Sequence, residues 1–274
     1  MQRAVEAVQR RIDGSGGAGL ALLDALVPRR GYRAHTDIAY GVGPRHRLDV
    51  YRPMRAAEPA PVIVFFYGGA WETGARRWYR FVGQGFAGAG CVTVVADYRL
   101  YPEVRYPGFV EDAAAAAAWV ATNIAAFGGD PARLHLMGHS AGAHIALMLA
   151  LNRGFLGPDV PVAGAIGLAG PYDFEPTGRT RAVLDSDGGG PSAMPVDYVD
   201  AGAPPMLLLT GGDDDTVGPG NSTRLAARVR ERGGRAELVV YPRVGHARLL
   251  AALATPLAWL APARRDVLRF VRAR

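Results

Sequence analysis

From Pro61 onward, short uninterrupted apolar runs alternate with stretches whose apolar positions recur at helical spacing. The runs fall at 62–67, 92–96, 134–137, 162–168, 206–210 and 237–241. Continuous apolar runs of that length suit strands covered on both faces, because a strand with one wet face alternates instead. Helices are expected over 109–127, 141–151, 222–232 and a final stretch toward Phe270. Strands alternating with helices imply right-handed βαβ crossovers and a mostly parallel sheet. The predicted fold class is therefore α/β, with helices on both faces. Ligands of such sheets meet the loops just beyond the strands' carboxyl ends, so the chemistry is to be sought there.

Ahead of Pro61 the texture differs. Helical spacing runs through about 3–26, on both sides of Gly14-Ser15-Gly16-Gly17. Two alternating segments, 35–40 and 47–51, flank Gly41-Val42-Gly43-Pro44 and predict an antiparallel hairpin. One later stretch breaks the rhythm. Residues 171–205 are rich in Gly, Pro and Asp and too long for an ordinary connection, so an excursion over the active-site face is expected.

Composition narrows the class. A chain of 274 residues with 49% hydrophobic content fits one domain, 1–274, and buries about 75% of its unfolded surface without disulfides or metal. Its single cysteine, Cys91, lies in the strand-like Cys91-Val92-Thr93-Val94-Val95 and reads as an inert core thiol. No run approaches a membrane span: Asp24 interrupts 18–27, and the alanine run 113–118 is short. Residues 1–13 are basic, contain Glu6 and lead into no apolar h-region, which predicts a cytoplasmic protein. The formal charge is +6, and every one of the 31 basic residues is arginine. They occur in scattered pairs (Arg29-Arg30, Arg76-Arg77, Arg264-Arg265) without a stripe interleaved with aromatics, so a solvated arginine surface is expected, with no nucleic-acid or membrane partner.

The candidate chemistry starts at Gly138-His139-Ser140-Ala141-Gly142, between an apolar strand and a helix-forming run. This is the Gly-x-Ser-x-Gly pattern of a nucleophile elbow, whose sharp turn presents the serine hydroxyl at a helix N-terminus. A serine needs a base, and the base needs an orienting acid; in this architecture they follow in the order Ser, acid, His. Of the six histidines, only His246 lies beyond the last predicted strand. His35, His46, His135, His139 and His144 are read as structural. The acid should follow the run 206–210, where Asp213, Asp214 and Asp215 compete and spacing alone does not choose.

Taken together, these residues resemble the α/β-hydrolase superfamily over nearly the whole chain. More narrowly they are similar to carboxylesterases of the hormone-sensitive-lipase-like group and to small feruloyl-esterase-like and arylformamidase-like enzymes. Phe65-Phe66-Tyr67-Gly68-Gly69-Ala70-Trp71 looks like their His-Gly-Gly-x-Trp oxyanion loop, with Tyr67 in place of the histidine that buttresses it. Ala96-Asp97-Tyr98-Arg99-Leu100 resembles their Asp-Tyr-Arg-Leu segment, and Val244-Gly245-His246 their Gly-His. Gly211-x-x-Asp214-x-x-Val217 fits their acid motif, so the resemblance selects Asp214, with Asp215 second. It implies an oxyanion hole of backbone N–H groups from Gly69, Ala70 and Ala141, no cofactor and no metal. With no large cap domain evident in the sequence, a small or short-acyl ester is the expected substrate. Tyr67, Trp71, Tyr101 and Tyr172, with Trp78 and Phe155, are candidates for the pocket lining. Two alternatives stay open: formamide hydrolysis of the N-formylkynurenine kind, and a silent hydrolase fold used for binding.

Overall fold

The computed structural model describes residues 17–54, 59–184 and 190–273. Of the predicted N-terminal helical segment, only its second part is described, as α1 (Gly17–Leu26); residues 3–16 lie outside the described residues. The hairpin follows as β1 (Tyr32–Ala39) and β2 (Arg47–Pro53). Then come β3 (Ala60–Phe66), α2 (Arg80–Ala87), β4 (Val92–Ala96) and α3 (Gly108–Asn123). The chain continues through β5 (Gly129–His139), α4 (Ala141–Leu151), β6 (Gly164–Leu168) and α5 (Gly178–Leu184). It ends with β7 (Met206–Gly211), α6 (Gly220–Glu231), β8 (Ala236–Tyr241), α7 (His246–Ala251) and α8 (Ala263–Arg272).

The eight strands form one sheet in the order β1-β2-β4-β3-β5-β6-β7-β8. β1 and β2 run antiparallel to each other, and β2 antiparallel to β4; every other pair is parallel. Every residue of β3, β4, β6 and β7 is buried, which explains why those strands read as continuous apolar runs. Each large side chain so covered contributes roughly 1.5–3 kcal/mol of transfer free energy. Cys91 is buried among them, and burial pushes its thiol up to about 11, consistent with an unreactive core role. Among the described residues no helix is long and apolar enough to cross a membrane.

Strand order turns around at β3. From there the chain steps to β4 on one side and to β5 on the other, so the carboxyl ends of β3 and β5 lie adjacent, with Phe66 paired to Gly138. That is the switch point at which a crevice opens in a doubly wound sheet. The stretch 171–205 is not plain loop: it carries α5 and a 3-10 turn at Pro195–Tyr198. Its described residues pack across the same end of the molecule. Tyr106 donates its N–H to the Val183 carbonyl at 3.0 Å and its hydroxyl to the Ser192 carbonyl at 2.8 Å.

Candidate active site

At the switch point the two glycines of the elbow are needed for space. A Cβ on Gly138 would sit 2.0 Å from the Gly142 carbonyl oxygen, and one on Gly142 would sit 2.1 Å from that of Phe66. Only without side chains do β5, α4 and the end of β3 close together. Between them Ser140 adopts φ 54°, a conformation rare for a residue with a Cβ, and its N–H is tied to the Leu168 carbonyl at the end of β6 at 2.9 Å. The strain lifts its side chain clear of the sheet. The Ser140 hydroxyl makes no hydrogen bond among the described residues, and its Cβ lies 2.9 Å from the Cβ position of Gly68.

The loop after β3 is equally constrained. Gly69 has φ 128°, and Ala70 and Trp71 follow at 52° and 62°. Glu72 and Thr73 both donate their N–H to the Gly69 carbonyl at 3.0 Å, which fixes the tight turn. The N–H groups of Gly69, Ala70 and Ala141 donate to no partner among the described residues. Ala141 opens α4, so its N–H is one of the four that a helix leaves unpaired. The N–H groups of Gly69 and Ala70 in the loop after β3 and of Ala141 at the start of α4 are thus left as unused donors.

On the other side of the elbow, the loops after β7 and β8 are clamped together. Gly212 donates to the Tyr241 carbonyl at 2.9 Å, Asp213 to that of Val244 at 3.2 Å, and a Cβ on Gly211 would meet the Val244 carbonyl oxygen at 2.0 Å. The clamp brings His246 Nδ1 to 2.8 Å from Asp214 Oδ2. The Asp214 carboxylate is fully buried, and its Oδ1 accepts the N–H groups of Thr216 at 3.0 Å and Val217 at 2.8 Å. Asp213 and Asp215 are exposed. Of the three carboxylates among which spacing did not choose, that of Asp214 is the buried one and the one bonded to His246. His139 bridges the two halves: its ring lies 4.6 Å from that of His246, centroid to centroid, with Nε2 3.3 Å from the His246 carbonyl, while its Nδ1 lies 3.2 Å from the Cβ position of Gly68. Burial, with the neighbouring His246, holds the His139 pKa well below the usual histidine value, so it is neutral and packs as an uncharged wall.

The pocket candidates divide. Trp71 is buried beside the turn, its ring stacked on Phe109 and edge-on to His144. Tyr101 is half-buried and donates its N–H to the Trp71 carbonyl at 2.8 Å, so both flank the free donors. Tyr67 and Tyr172 do not belong to a lining. Tyr172 is fully buried with its hydroxyl 1.9 Å from the Cβ position of Gly167, pressed onto β6 where glycine leaves room. Tyr67 lies beneath the turn, stacked between Tyr79 and Tyr98. Its hydroxyl donates to Asp97 Oδ1 at 2.7 Å and accepts from Arg45 Nη2 at 2.7 Å. Burial, with Tyr98 and Asp97 adding, raises its pKa well above the ordinary tyrosine value, so it stays a neutral donor.

That buttress contains residues for which the sequence held little signal. Arg45 also donates to the carbonyls of Tyr98 at 2.7 Å and Gly74 at 2.9 Å. Arg76, expected on the solvated surface with Arg77, is 16% exposed and pairs with Asp97 at 2.5 Å and Asp49 at 2.9 Å. Its pairing follows from two buried carboxylates that need a counter-charge. Tyr67→Phe is expected to lower stability by about 1–3 kcal/mol in urea unfolding, since it strips a buried hydroxyl from Arg45 and Asp97 together; a midpoint equal to that of the unaltered protein would show that the hydroxyl holds nothing.

Comparison with known proteins gives the chain's family. The chain matches the BD-FAE family over residues 48–229. It is 33% identical over 236 residues to the isoprenylcysteine alpha-carbonyl methylesterase ICME of Arabidopsis thaliana, covering 76% of this chain and 55% of that protein. It is 32% identical over 254 residues to esterase LipQ of Mycobacterium tuberculosis, covering 82% and 60%. The chain spans about half the length of the curated relatives it matches. Among solved structures, the propionate-bound esterase Est2 of Thermogutta terrifontis superposes with a TM-score of 0.69 at 26% identity, covering 90% of this chain and 98% of that one. The chain belongs to the BD-FAE family, on an α/β-hydrolase fold.

Proposed function

We propose that this protein is a serine carboxylesterase acting on small or short-acyl esters, with Ser140, His246 and Asp214 as its triad. The observation that carries the reading is the buried Asp214 carboxylate 2.8 Å from His246 Nδ1, in loops that close against the Ser140 elbow. Asp214 holds the imidazole with its proton on Nδ1, leaving Nε2 free to take the hydroxyl proton as Ser140 attacks the acyl carbonyl. Negative charge on the carbonyl oxygen is met by the N–H groups of Gly69, Ala70 and Ala141, each contributing roughly 3 kcal/mol of barrier lowering. The imidazolium then protonates the leaving alcohol. Water, deprotonated by the same imidazole, attacks the acyl-enzyme and releases the acid.

Support for an ester comes from the names of the relatives, and support for a short acyl group from a propionate seated in the Thermogutta enzyme. A p-nitrophenyl ester series is expected to peak in kcat/KM at acetate to butyrate and to fall steeply by octanoate. A maximum at long acyl chains would overturn the short-acyl reading. A fluorophosphonate probe is expected to label Ser140, and a chain left unlabelled would overturn the enzyme reading itself.

A further inference from the structure

Four of the arginines lie close together on the last helix. Helix α8 buries Ala263, Asp266, Val267 and Val271 against the body and turns Arg265, Arg269 and Arg272 to the solvent side. Together with Arg264 these line a groove of about 330 Å³ whose other walls are Ala258, Pro262 and Leu268. Among the described residues no carboxylate lines it. The nearest acids are Glu237, paired with Arg269, and Asp266, 3.9 Å from Arg265 and 3.7 Å from Arg269 but turned inward to the Tyr241 hydroxyl at 2.7 Å. Two carboxylates against four guanidinium groups leave the groove positive.

Next to Ala258 stands Trp259, 55% exposed. No other Phe, Tyr or Trp among the described residues is exposed. A groove for a small soluble anion would use the arginines and leave this indole without a purpose. A lipid surface uses both: phosphate headgroups pair with guanidinium groups, and an amphipathic ring settles at the headgroup level. We propose that the face formed by Trp259 and the arginines of α8 docks the protein peripherally on anionic lipid membranes.

The test is co-sedimentation of the full chain with vesicles of phosphatidylcholine, alone or with roughly a third phosphatidylglycerol. Binding is expected to be at least tenfold stronger on the anionic vesicles and to fade as salt is raised, because the attraction is screened within a Debye length. Each arginine held at such a surface strengthens partitioning by about fivefold. The triple variant Arg265→Gln/Arg269→Gln/Arg272→Gln is therefore expected to bind about a hundredfold more weakly, with hydrolysis of a soluble acetate ester unchanged as the check on folding. On the unaltered protein, anionic vesicles are expected to shield an indole from acrylamide, and Trp259→Phe to remove that shielded emission. Equal binding to both vesicle types, or anionic binding that survives the triple substitution, overturns the proposal. So does binding of inorganic phosphate by the groove without vesicle binding, which would assign it to a soluble anion. None of these residues belongs to the Ser140 site, so this proposal and the esterase reading stand or fall separately.

Discussion

Ser140→Ala is expected to lower kcat for a short p-nitrophenyl ester by about five to six orders of magnitude, with KM within a few-fold of the original. Alanine keeps the Cβ that already fits at φ 54°, so the elbow, its tie to Leu168 and the contacts with Gly68 are retained and the fold is undisturbed. What disappears is the attacking oxygen alone. On the proposed mechanism the N–H groups of Gly69, Ala70 and Ala141 remain to polarise the bound carbonyl. A residual rate about 10³-fold above that in water is the expected remainder. The measurement is a steady-state assay beside a thermal melt. A variant that melts normally and turns over within tenfold of the unaltered protein would remove Ser140 from the reaction.

Much of this arrangement was legible before any coordinates. Strands β3, β4 and β7 announced themselves because both faces are covered, which leaves Thr93 and Thr210 as the polar residues in otherwise apolar runs. Gly138 and Gly142 were legible because a Cβ at either would strike backbone, so the spacing around Ser140 is a steric requirement visible as letters. His246 followed from chain order. Asp214 was separated from Asp213 and Asp215 only by resemblance, since what distinguishes it, burial and two N–H donors, is created by how its own loop turns.

The buttress was less readable for a related reason. Arg45, Tyr67, Arg76 and Asp97 lie 21–30 residues apart at each link and meet only because β2, β4 and β3 are neighbours in the sheet. No periodicity along the chain encodes such a meeting. An arginine that neutralises buried carboxylates and one that faces water are the same letter, which is why Arg76 looked like surface. Tyr172 misled for the converse reason: it sits in a stretch rich in Pro and Gly, and its burial depends on the side chain that Gly167 and Gly170 lack.

Asp214→Asn is expected to lower kcat by about 10⁴-fold, and the local hydrogen bonds say why. In the unaltered protein Oδ1 accepts from the N–H groups of Thr216 and Val217, while Oδ2 faces His246 Nδ1. An asparagine has a single oxygen, and two backbone donors claim it. Its amide NH₂ is then forced toward His246, where it donates to Nδ1 and drives the ring proton onto Nε2. That is the wrong tautomer: the nitrogen that must accept the Ser140 proton already carries one. The site keeps its shape and loses its base, so KM should hold while kcat collapses. Asp213→Asn and Asp215→Asn, at exposed positions, are expected to stay within threefold of the original. In proton NMR, the downfield Nδ1–H resonance of His246 should vanish in Asp214→Asn and persist in the other two. Loss of activity in Asp215→Asn with Asp214→Asn still active would transfer the acid's role to the neighbouring residue.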